Sequence, residues 1–220
     1  MTPRERPILF SGEMVRALLE GRKTQTRRVV KWPKWSDPAN PHQVAGLVEH
    51  RGIAWFEEGR PVKRYTCPYG VPGDRLWVRE SFGLVWPDDC DDGSMDDTAE
   101  PTGSRPLKPE EHKVAYKADA DGDDLPGGWP NDEGAPEGLR WKPSIHMPRW
   151  ASRLTLEVTG VKVERVNEIT ESDARAEGRS LVKGDPAGYF PETWDSINAA
   201  RGYGWSVNPW CWCLTFRVLR

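Results

Sequence analysis

The chain has 220 residues with 31 Lys and Arg against 34 Asp and Glu, and a length of this order favours a single domain. No apolar run is long enough to span a bilayer and the N-terminus does not resemble a signal peptide, so we expect a cytoplasmic protein that does not enter a membrane. The four cysteines form no Cys-x-x-Cys pair, which argues against a zinc ribbon and against a disulfide framework.

The charge is distributed unevenly along the chain. Residues 1–35 hold nine Lys and Arg against three Glu, whereas residues 88–137 hold sixteen Asp and Glu against four Lys and Arg. Because acidic side chains repel phosphate, a nucleic acid would have to bind the basic part of the chain. We interpret the acidic segment as a solvated loop, and a shield over the basic residues is the alternative.

The hydrophobic pattern predicts the N-terminal elements. Residues 7–10 are typical of a short buried strand, and Ser11 is placed to N-cap a helix over residues 12–20. Gly21 is the expected end of that helix, because glycine readily adopts the left-handed conformation found at helix C-termini. The alternation over residues 24–30 then predicts a strand that leaves the helix.

Two stretches rich in Pro, Gly and charge predict surface insertions, at about residues 31–72 and 86–140. Short strands are expected inside them, near residues 52–57 and at residues 113–118. We therefore expect the core of the domain to be built from the remaining parts of the chain.

A further strand is predicted over residues 75–82, and its orientation is open. Its alternating pattern allows Leu76 and Val78 to face the core. It equally allows Trp77 and Arg79 to do so.

The C-terminal half combines two long strands with two helices. Residues 154–163 alternate as a strand, and the helix predicted at residues 170–177 opens on the capping-box pattern T-x-x-D. A second helix is predicted at residues 191–200. The last strand, residues 209–218, is apolar on both faces, which is typical of a central buried strand. The sum is an α+β, strand-dominated fold, either a small β-barrel or a curved sheet with helices around it.

The densest chemical signal is Gly21-Arg22-Lys23-Thr24-Gln25-Thr26-Arg27-Arg28, directly after the first helix. It brings four cations into seven residues of an acidic chain. Like charges repel, so such a cluster is either a solvated basic face or a pocket for a nucleotide, RNA or DNA.

Four other residues are candidates for contacts to a phosphate or a base: Arg79, His146, Arg149 and Trp150. His146 lies in the motif-like stretch Ile-His-Met-Pro-Arg-Trp and is a candidate acid–base group or lid residue. Each also has a structural interpretation, since a histidine before a strand commonly serves structure and a tryptophan commonly fills a core.

For Arg28 and Glu80 we expect surface ion pairs. Cys211 and Cys213 flank a tryptophan in the last strand, which favours packed thiols over metal ligands. The chain carries no P-loop and no G-x-G-x-x-G pattern, so we expect neither a cofactor nor a metal.

Six short motifs follow one another along the chain, at residues 21–27, 73–80, 156–159, 169–171, 194–198 and 208–210. This ordered set resembles the ASCH domain (activating signal cointegrator homology), whose fold is similar to the PUA fold. The resemblance covers the chain apart from the acidic insertions. Its final two motifs are similar to those of a bacterial and prophage subgroup.

This resemblance implies a single PUA-like domain over residues 1–220, a small β-barrel with flanking helices and acidic loop insertions. Within the superfamily, the bacterial amidohydrolases of 4-acetylcytidine are the most useful comparison. Their proposed catalytic set maps onto Lys23, Thr26 and Glu177, although this chain is about twice as long as those enzymes. Other ASCH proteins are ribonucleases or bind nucleic acid, so the resemblance leaves the function open.

From the resemblance we expect a metal-independent amidohydrolase that removes an acyl group from a modified pyrimidine nucleoside. Lys23 would be the base, Thr26 the nucleophile or a group that positions water, and Glu177 the group that orients Lys23 or shuttles the proton. The alternative for Lys23 and Glu177 is a purely structural ion pair. The expected substrate contacts are Arg22, Thr24, Arg27, Arg79, His146, Arg149 and Trp150. The alternative functions are an RNA- or DNA-binding module, reading a modified base, and a ribonuclease that uses the same basic pocket.

Overall fold

The computed structural model describes residues 2–31, 47–48, 53–55, 64–85, 113–120, 141–178 and 190–219. Within these ranges the chain is a mixed α+β, strand-rich protein. Its helices are α1 (Gly12–Leu19), α2 (Lys117–Ala120), α3 (Glu171–Ala176) and α4 (Phe190–Asn198). Its strands are β1 (Glu5–Leu9), β2 (Gln25–Val29), β3 (Leu47–Val48), β4 (Ile53–Trp55), β5 (Arg64–Thr66), β6 (Arg75–Arg79), β7 (Phe82–Val85), β8 (Lys113–Tyr116), β9 (Thr155–Arg165) and β10 (Trp210–Leu219).

The largest sheet has five strands in the order β1-β6-β9-β10-β2. β10 pairs antiparallel with β9 on one side and with β2 on the other, which confirms that the last strand is central. Leu214 lies opposite Thr26 on β2 and Val161 on β9. The register between β9 and β10 shifts at residues 215–216, where the strand is bulged. β2 therefore forms one edge of the sheet, and this edge carries the basic cluster.

The strand-rich α+β class is confirmed, but the described residues do not form a closed barrel. The five-stranded sheet is open, with β1 and β2 at its edges. The remaining described strands form a three-stranded sheet, β3-β4-β5, and a two-stranded sheet, β7-β8. The predicted short strand near residues 52–57 is present as β4, whereas most of both predicted insertions lies outside the described residues.

The chain divides into two compact units. The first comprises residues 1–6, 17–76 and 154–220, and its core includes Val166, Phe190, Trp194, Cys211 and Cys213. The second comprises residues 7–16 and 77–153, and its core includes Phe82, Met147 and Ala151. In both units apolar burial supplies the main favourable contribution to folding.

The predicted helices are confirmed, with small differences at their ends. α1 ends before Gly21, whose φ of +74° is the left-handed conformation expected there. α3 carries the predicted capping box, because the Thr170 side chain accepts from Asp173 N and the Asp173 side chain accepts from Thr170 N. None of the helices in the described part of the chain is long and apolar enough to cross a membrane.

The first strand differs from its prediction as a short buried strand. Ile8 and Phe10 are buried, but Leu9 between them is 42% exposed. Successive side chains of a strand point to opposite faces, so this stretch is covered on the face of Ile8 and Phe10 and exposed on the face of Leu9. On β6 the choice is resolved in favour of Leu76 and Val78, which are both buried.

Candidate active site at the edge of strand β2

The turn between α1 and β2 fixes the position of Lys23. Gly21 N donates to Leu18 O at 3.1 Å and closes the helix, and Lys23 N then donates to Ala17 O at 3.0 Å. These two bonds satisfy carbonyl groups that a helix end leaves without partners. They also turn the chain so that the Lys23 side chain runs into the interior of the first unit, where it is fully buried.

The end of α3 and the residue after it lie against residues 23–24, directly before β2. Lys23 and Glu177 form an isolated antiparallel bridge, and Thr24 N donates to Ala176 O at 2.8 Å. Gly178 follows with a φ of +91°, and a Cβ at this position would lie 2.7 Å from Lys23 Cβ. Only glycine allows the backbone to approach Lys23 this closely.

Lys23 and Glu177 form a buried ion pair. Lys23 Nζ donates to Glu177 Oε2 and to the Glu177 main-chain carbonyl, each at 2.8 Å. The Lys23 side chain is 0% exposed and that of Glu177 is 9% exposed. Burial lowers the pKa of Lys23 from its ordinary value, although the charge and hydrogen bond of Glu177 oppose the effect. This contact is expected for a catalytic pair and for a structural ion pair alike.

Arg27 is buried beside this pair rather than presented to solvent. Its Nη2 donates to Asp173 Oδ2 at 2.9 Å and to Glu164 Oε2 at 3.3 Å. With the Gln25 amide oriented to satisfy its neighbours, its oxygen accepts from Arg27 Nη1 at 2.6 Å and its nitrogen donates to Asp173 Oδ1 at 3.2 Å. Arg27 Nη1 also lies 3.6 Å from Glu177 Oε1.

This arrangement argues against direct substrate binding by Arg27, which the sequence predicted. A guanidinium that is 1% exposed and shared among carboxylates is already neutralised and cannot serve as an open phosphate site. Arg27 is instead the centre of a buried network, which we name the Arg27 network, formed with Gln25, Glu164, Asp173 and Glu177.

Thr26 is buried, on the opposite face of β2 from Gln25 and Arg27, because successive residues of a strand alternate between faces. None of the hydrogen bonds between described residues joins its side chain to Lys23 or Glu177. Arg28 shares its face and interacts electrostatically with Glu177. The Glu177 carboxylate is thus within electrostatic range of side chains on both faces of the edge strand.

Arg22 and Thr24, also predicted as substrate contacts, are exposed at the same turn. The Arg22 guanidinium donates to Glu20 and to the main-chain carbonyl of Gly178. It therefore ties the end of α1 to the glycine that follows Glu177. Thr24 contributes its main-chain groups to the edge, and its N–H is bound to Ala176.

The other four predicted contacts lie in the second unit. Arg79 donates to the carbonyls of Met147, at 3.1 Å, and Ile145, and its guanidinium stacks 5.2 Å from the Trp77 ring. The exposed Arg149 lies 5.9 Å from the same ring. Two cations thus converge on one indole. His146 is exposed in the adjoining 3₁₀ turn, and Trp150 packs on the core of this unit.

The surface ion pair predicted for Glu80 is wrong, because Glu80 is 1% exposed. Arg153 binds both of its carboxylate oxygens at 3.0 Å and also binds both oxygens of Asp119, at 2.6 and 2.7 Å. The Arg153 guanidinium lies 4.0 Å from the Tyr116 ring. Burial raises the pKa of Glu80, and Arg153 opposes the effect. Within the second unit Arg153, which is 22% exposed, therefore pairs with the buried Glu80 and with the partly exposed Asp119.

Cys211 and Cys213 are free, buried thiols, as the sequence predicted for packed side chains. Burial raises the pKa of Cys211 to about 12 and that of Cys213 further. Across the described ranges no group of three or more His, Cys, Asp and Glu side chains could hold a metal ion. The thiols therefore belong to the core of the first unit.

Three members of the Arg27 network were missed at the sequence level: Gln25, Glu164 and Asp173. Alternation on β2 does place Gln25 and Arg27 on one face. The carboxylates that meet them come from β9 and α3, more than 130 residues away along the chain. The only local signal was a strand with polar residues on both faces, which requires polar neighbours. Comparisons of the chain with family models, with curated proteins and with solved structures give no match.

Proposed function

We propose that the protein is a hydrolase of the ASCH type that removes an acyl group from the exocyclic amine of a modified pyrimidine nucleoside such as 4-acetylcytidine. The observation that carries the proposal is the buried Lys23–Glu177 ion pair at the edge of β2. A buried lysine with a lowered pKa is a common form of catalytic base, because a larger fraction of it is neutral near pH 7.

In the proposed reaction Lys23 moves the proton. The two N–H bonds that hold Lys23 to Glu177 also exist in the neutral amine, which additionally carries a lone pair. A water adds to the acyl carbonyl carbon and gives a proton to Lys23. The tetrahedral intermediate then breaks its C–N bond, and Lys23 returns the proton to the leaving amine. The products are a carboxylic acid and the unmodified nucleoside.

Burial of Lys23 and Arg27 favours this proposal over a basic groove at the same place. Nucleic-acid binding draws on cations that face the solvent and release counterions from phosphates. Lys23 and Arg27 are instead enclosed and paired with carboxylates. Positive charge of this kind stabilises an internal site and contributes little to binding a polymer.

The test is turnover of 4-acetylcytidine to cytidine, followed by chromatography in the presence of a chelator. Lys23→Met and Glu177→Gln should each lower the rate by about 10²- to 10⁴-fold, the usual contribution of a positioned acid–base group. The matched control is Arg175→Met, which removes an exposed ion pair with Glu171 from the same helix α3. This control should keep the wild-type rate.

Two outcomes would contradict the proposal. One is a folded wild-type protein that does not turn over the nucleoside. The other is Lys23→Met protein that turns it over at the wild-type rate, which would leave the buried pair with a structural role alone. Thermal melting of each variant separates a loss of chemistry from a loss of folding.

Binding of single-stranded nucleic acid is the second candidate function, and the cluster around Trp77 favours it. Arg79 is held by carbonyl groups, and among the described residues no carboxylate contacts it. Aromatic rings and fixed guanidinium groups together are typical of base-stacking surfaces. An oligonucleotide titration at several salt concentrations should then show an affinity that falls with salt and weakens in Arg79→Met. An affinity unchanged by this substitution would remove the argument.

A further inference from the structure

We propose that Arg27 is a positioning residue, which acts on the reaction through Glu177 without touching the substrate. The proposal rests on the proposed function of the Lys23–Glu177 pair. It replaces the substrate contact that the sequence predicted for Arg27 with a role that fits its surroundings.

The guanidinium is fixed by the groups around it. Asp173 and Glu164 accept from Nη2, and Gln25 accepts from Nη1 while it also donates to Asp173. The side chain is 1% exposed. A guanidinium held by three neighbours in this way cannot swing out to meet a ligand. It can only present a fixed positive charge to what lies beside it.

Glu177 lies beside it. Its Oε2 accepts from Lys23 at 2.8 Å, whereas its Oε1 lies 3.6 Å from Arg27 Nη1. Among the described residues Oε1 accepts no hydrogen bond, although it is buried. The carboxylate is therefore fixed through one oxygen by a hydrogen bond, and its other oxygen is oriented by the Arg27 charge. Both contacts hold the plane of the Glu177 carboxylate. They therefore fix the direction of its hydrogen bond with Lys23.

Asp173 links this network to the local fold. Its Oδ2 binds Arg27, and the same side chain completes the capping box at the start of α3, the helix that Glu177 directly follows. One carboxylate thus sets both the start of the helix and the orientation of the guanidinium. The loss of Asp173 should consequently act in the same direction as the loss of Arg27.

The kinetic test uses Arg27→Met, Asp173→Asn and the double variant, which removes one charge of each sign. A positioning role predicts that Arg27→Met lowers kcat on the order of 10²-fold, the size expected when a reacting group is misplaced, and leaves KM within about twofold. Asp173→Asn should give a smaller loss of the same kind, and the double variant should be no slower than Arg27→Met. A rise of tenfold or more in KM with kcat retained would show a substrate contact and overturn the proposal.

A second readout does not depend on turnover. The side-chain ¹⁵N resonance of Lys23, assigned by its absence in Lys23→Met, reports the hydrogen bonds to Glu177. Arg27→Met should shift this resonance and Asp173→Asn should shift it in the same direction. Arg217→Met, which removes an exposed arginine paired with Glu157 on the same sheet, should leave it unchanged.

The two readouts keep the proposals apart. If the wild-type protein is inactive, the proposed function fails, and the Lys23 resonance alone decides whether Arg27 acts on the pair. An unchanged resonance in Arg27→Met and Asp173→Asn would overturn the positioning role. If Arg27→Met does not fold, the kinetic measurement and the Lys23 resonance are both taken from Asp173→Asn. This variant keeps the buried guanidinium and its contacts to Glu164 and Gln25.

Discussion

Alanine at position 178 should be far more damaging than alanine at another glycine with the same backbone conformation. Gly178 has a φ of +91°, and an added Cβ would lie 2.7 Å from Lys23 Cβ and 2.8 Å from Ala17 Cβ. Carbon atoms in contact prefer separations of roughly 3.5–4.0 Å. Because Cβ atoms move only with their backbones, the clash must separate the segment after α3 from the edge of β2.

Gly202 is the matched control. It has a φ of +80°, and no described atom lies within 4 Å of its added Cβ. Both substitutions introduce a left-handed non-glycine residue, at a cost of about 1–2 kcal/mol. Only Gly178→Ala adds overpacking, which costs about 1–3 kcal/mol. For a protein of this size each kcal/mol lowers the melting temperature by about 2–4 °C, so Gly178→Ala should melt about 2–12 °C below Gly202→Ala.

The assay is thermal or urea unfolding of the two variants in parallel, with the Lys23 side-chain resonance as a local probe. Gly178→Ala should also disturb the contact between Lys23 and Glu177, whereas Gly202→Ala should not. Equal melting temperatures, with an undisturbed Lys23 signal, would refute the reasoning. They would mean that the segment carrying Glu177 does not lie against Lys23 as closely as described.

Two further substitutions test the stability of the first unit. Burial alone would raise the pKa of Asp74, but hydrogen bonds from Arg4 N and the Arg6 side chain hold it below the usual value. Because Asp74→Asn weakens these bonds, it should lower the free energy of unfolding by about 1–3 kcal/mol at pH 7. The difference in unfolding free energy between the wild type and this variant should shrink as the pH falls through the lowered pKa, because the wild-type carboxylate then loses its charge too. Urea unfolding at neutral and at acidic pH measures this difference. Thr170→Ala should cost about 1 kcal/mol in the same assay, because it removes the cap bond to Asp173 N; an unchanged midpoint would contradict the capping role.

Local patterns predicted the elements that position the site. The stop at Gly21, the alternation on β2 and the capping box of α3 each depend on residues within a few positions of one another. These are preferences of the backbone and of helix ends, which act before the chain is folded. The central place of β10 followed in the same way from a strand apolar on both faces.

The neighbours of buried charges could not be predicted from such patterns. Glu80 directly follows a strand, and no residue near it in the sequence indicates that its partner is Arg153, which is 73 residues away. The same holds for Arg27, whose carboxylate partners lie on β9 and α3. A buried charge requires a partner, but the identity of that partner is fixed only by the tertiary fold.

The local pattern also missed which face of β1 is covered and which strand lies at the edge of the sheet. Residues 7–10 are apolar enough for a buried strand, yet Leu9 is exposed because only the face that carries Ile8 and Phe10 is covered. For β2 the edge position has a functional consequence. It leaves room beside Lys23 for the segment that carries Glu177, so the candidate site exists because the sheet ends there.

The dependence of kcat/KM on pH, measured with 4-acetylcytidine, tests the central claim most directly. If Lys23 is the base, the rate should rise with pH through a midpoint below 10.5, the ordinary lysine value, because burial lowers the pKa of Lys23 and only the neutral amine accepts the proton. This rising limb should be absent in Lys23→Met. A limb that persists in Lys23→Met, or a folded wild-type protein without turnover at any pH, would contradict the claim.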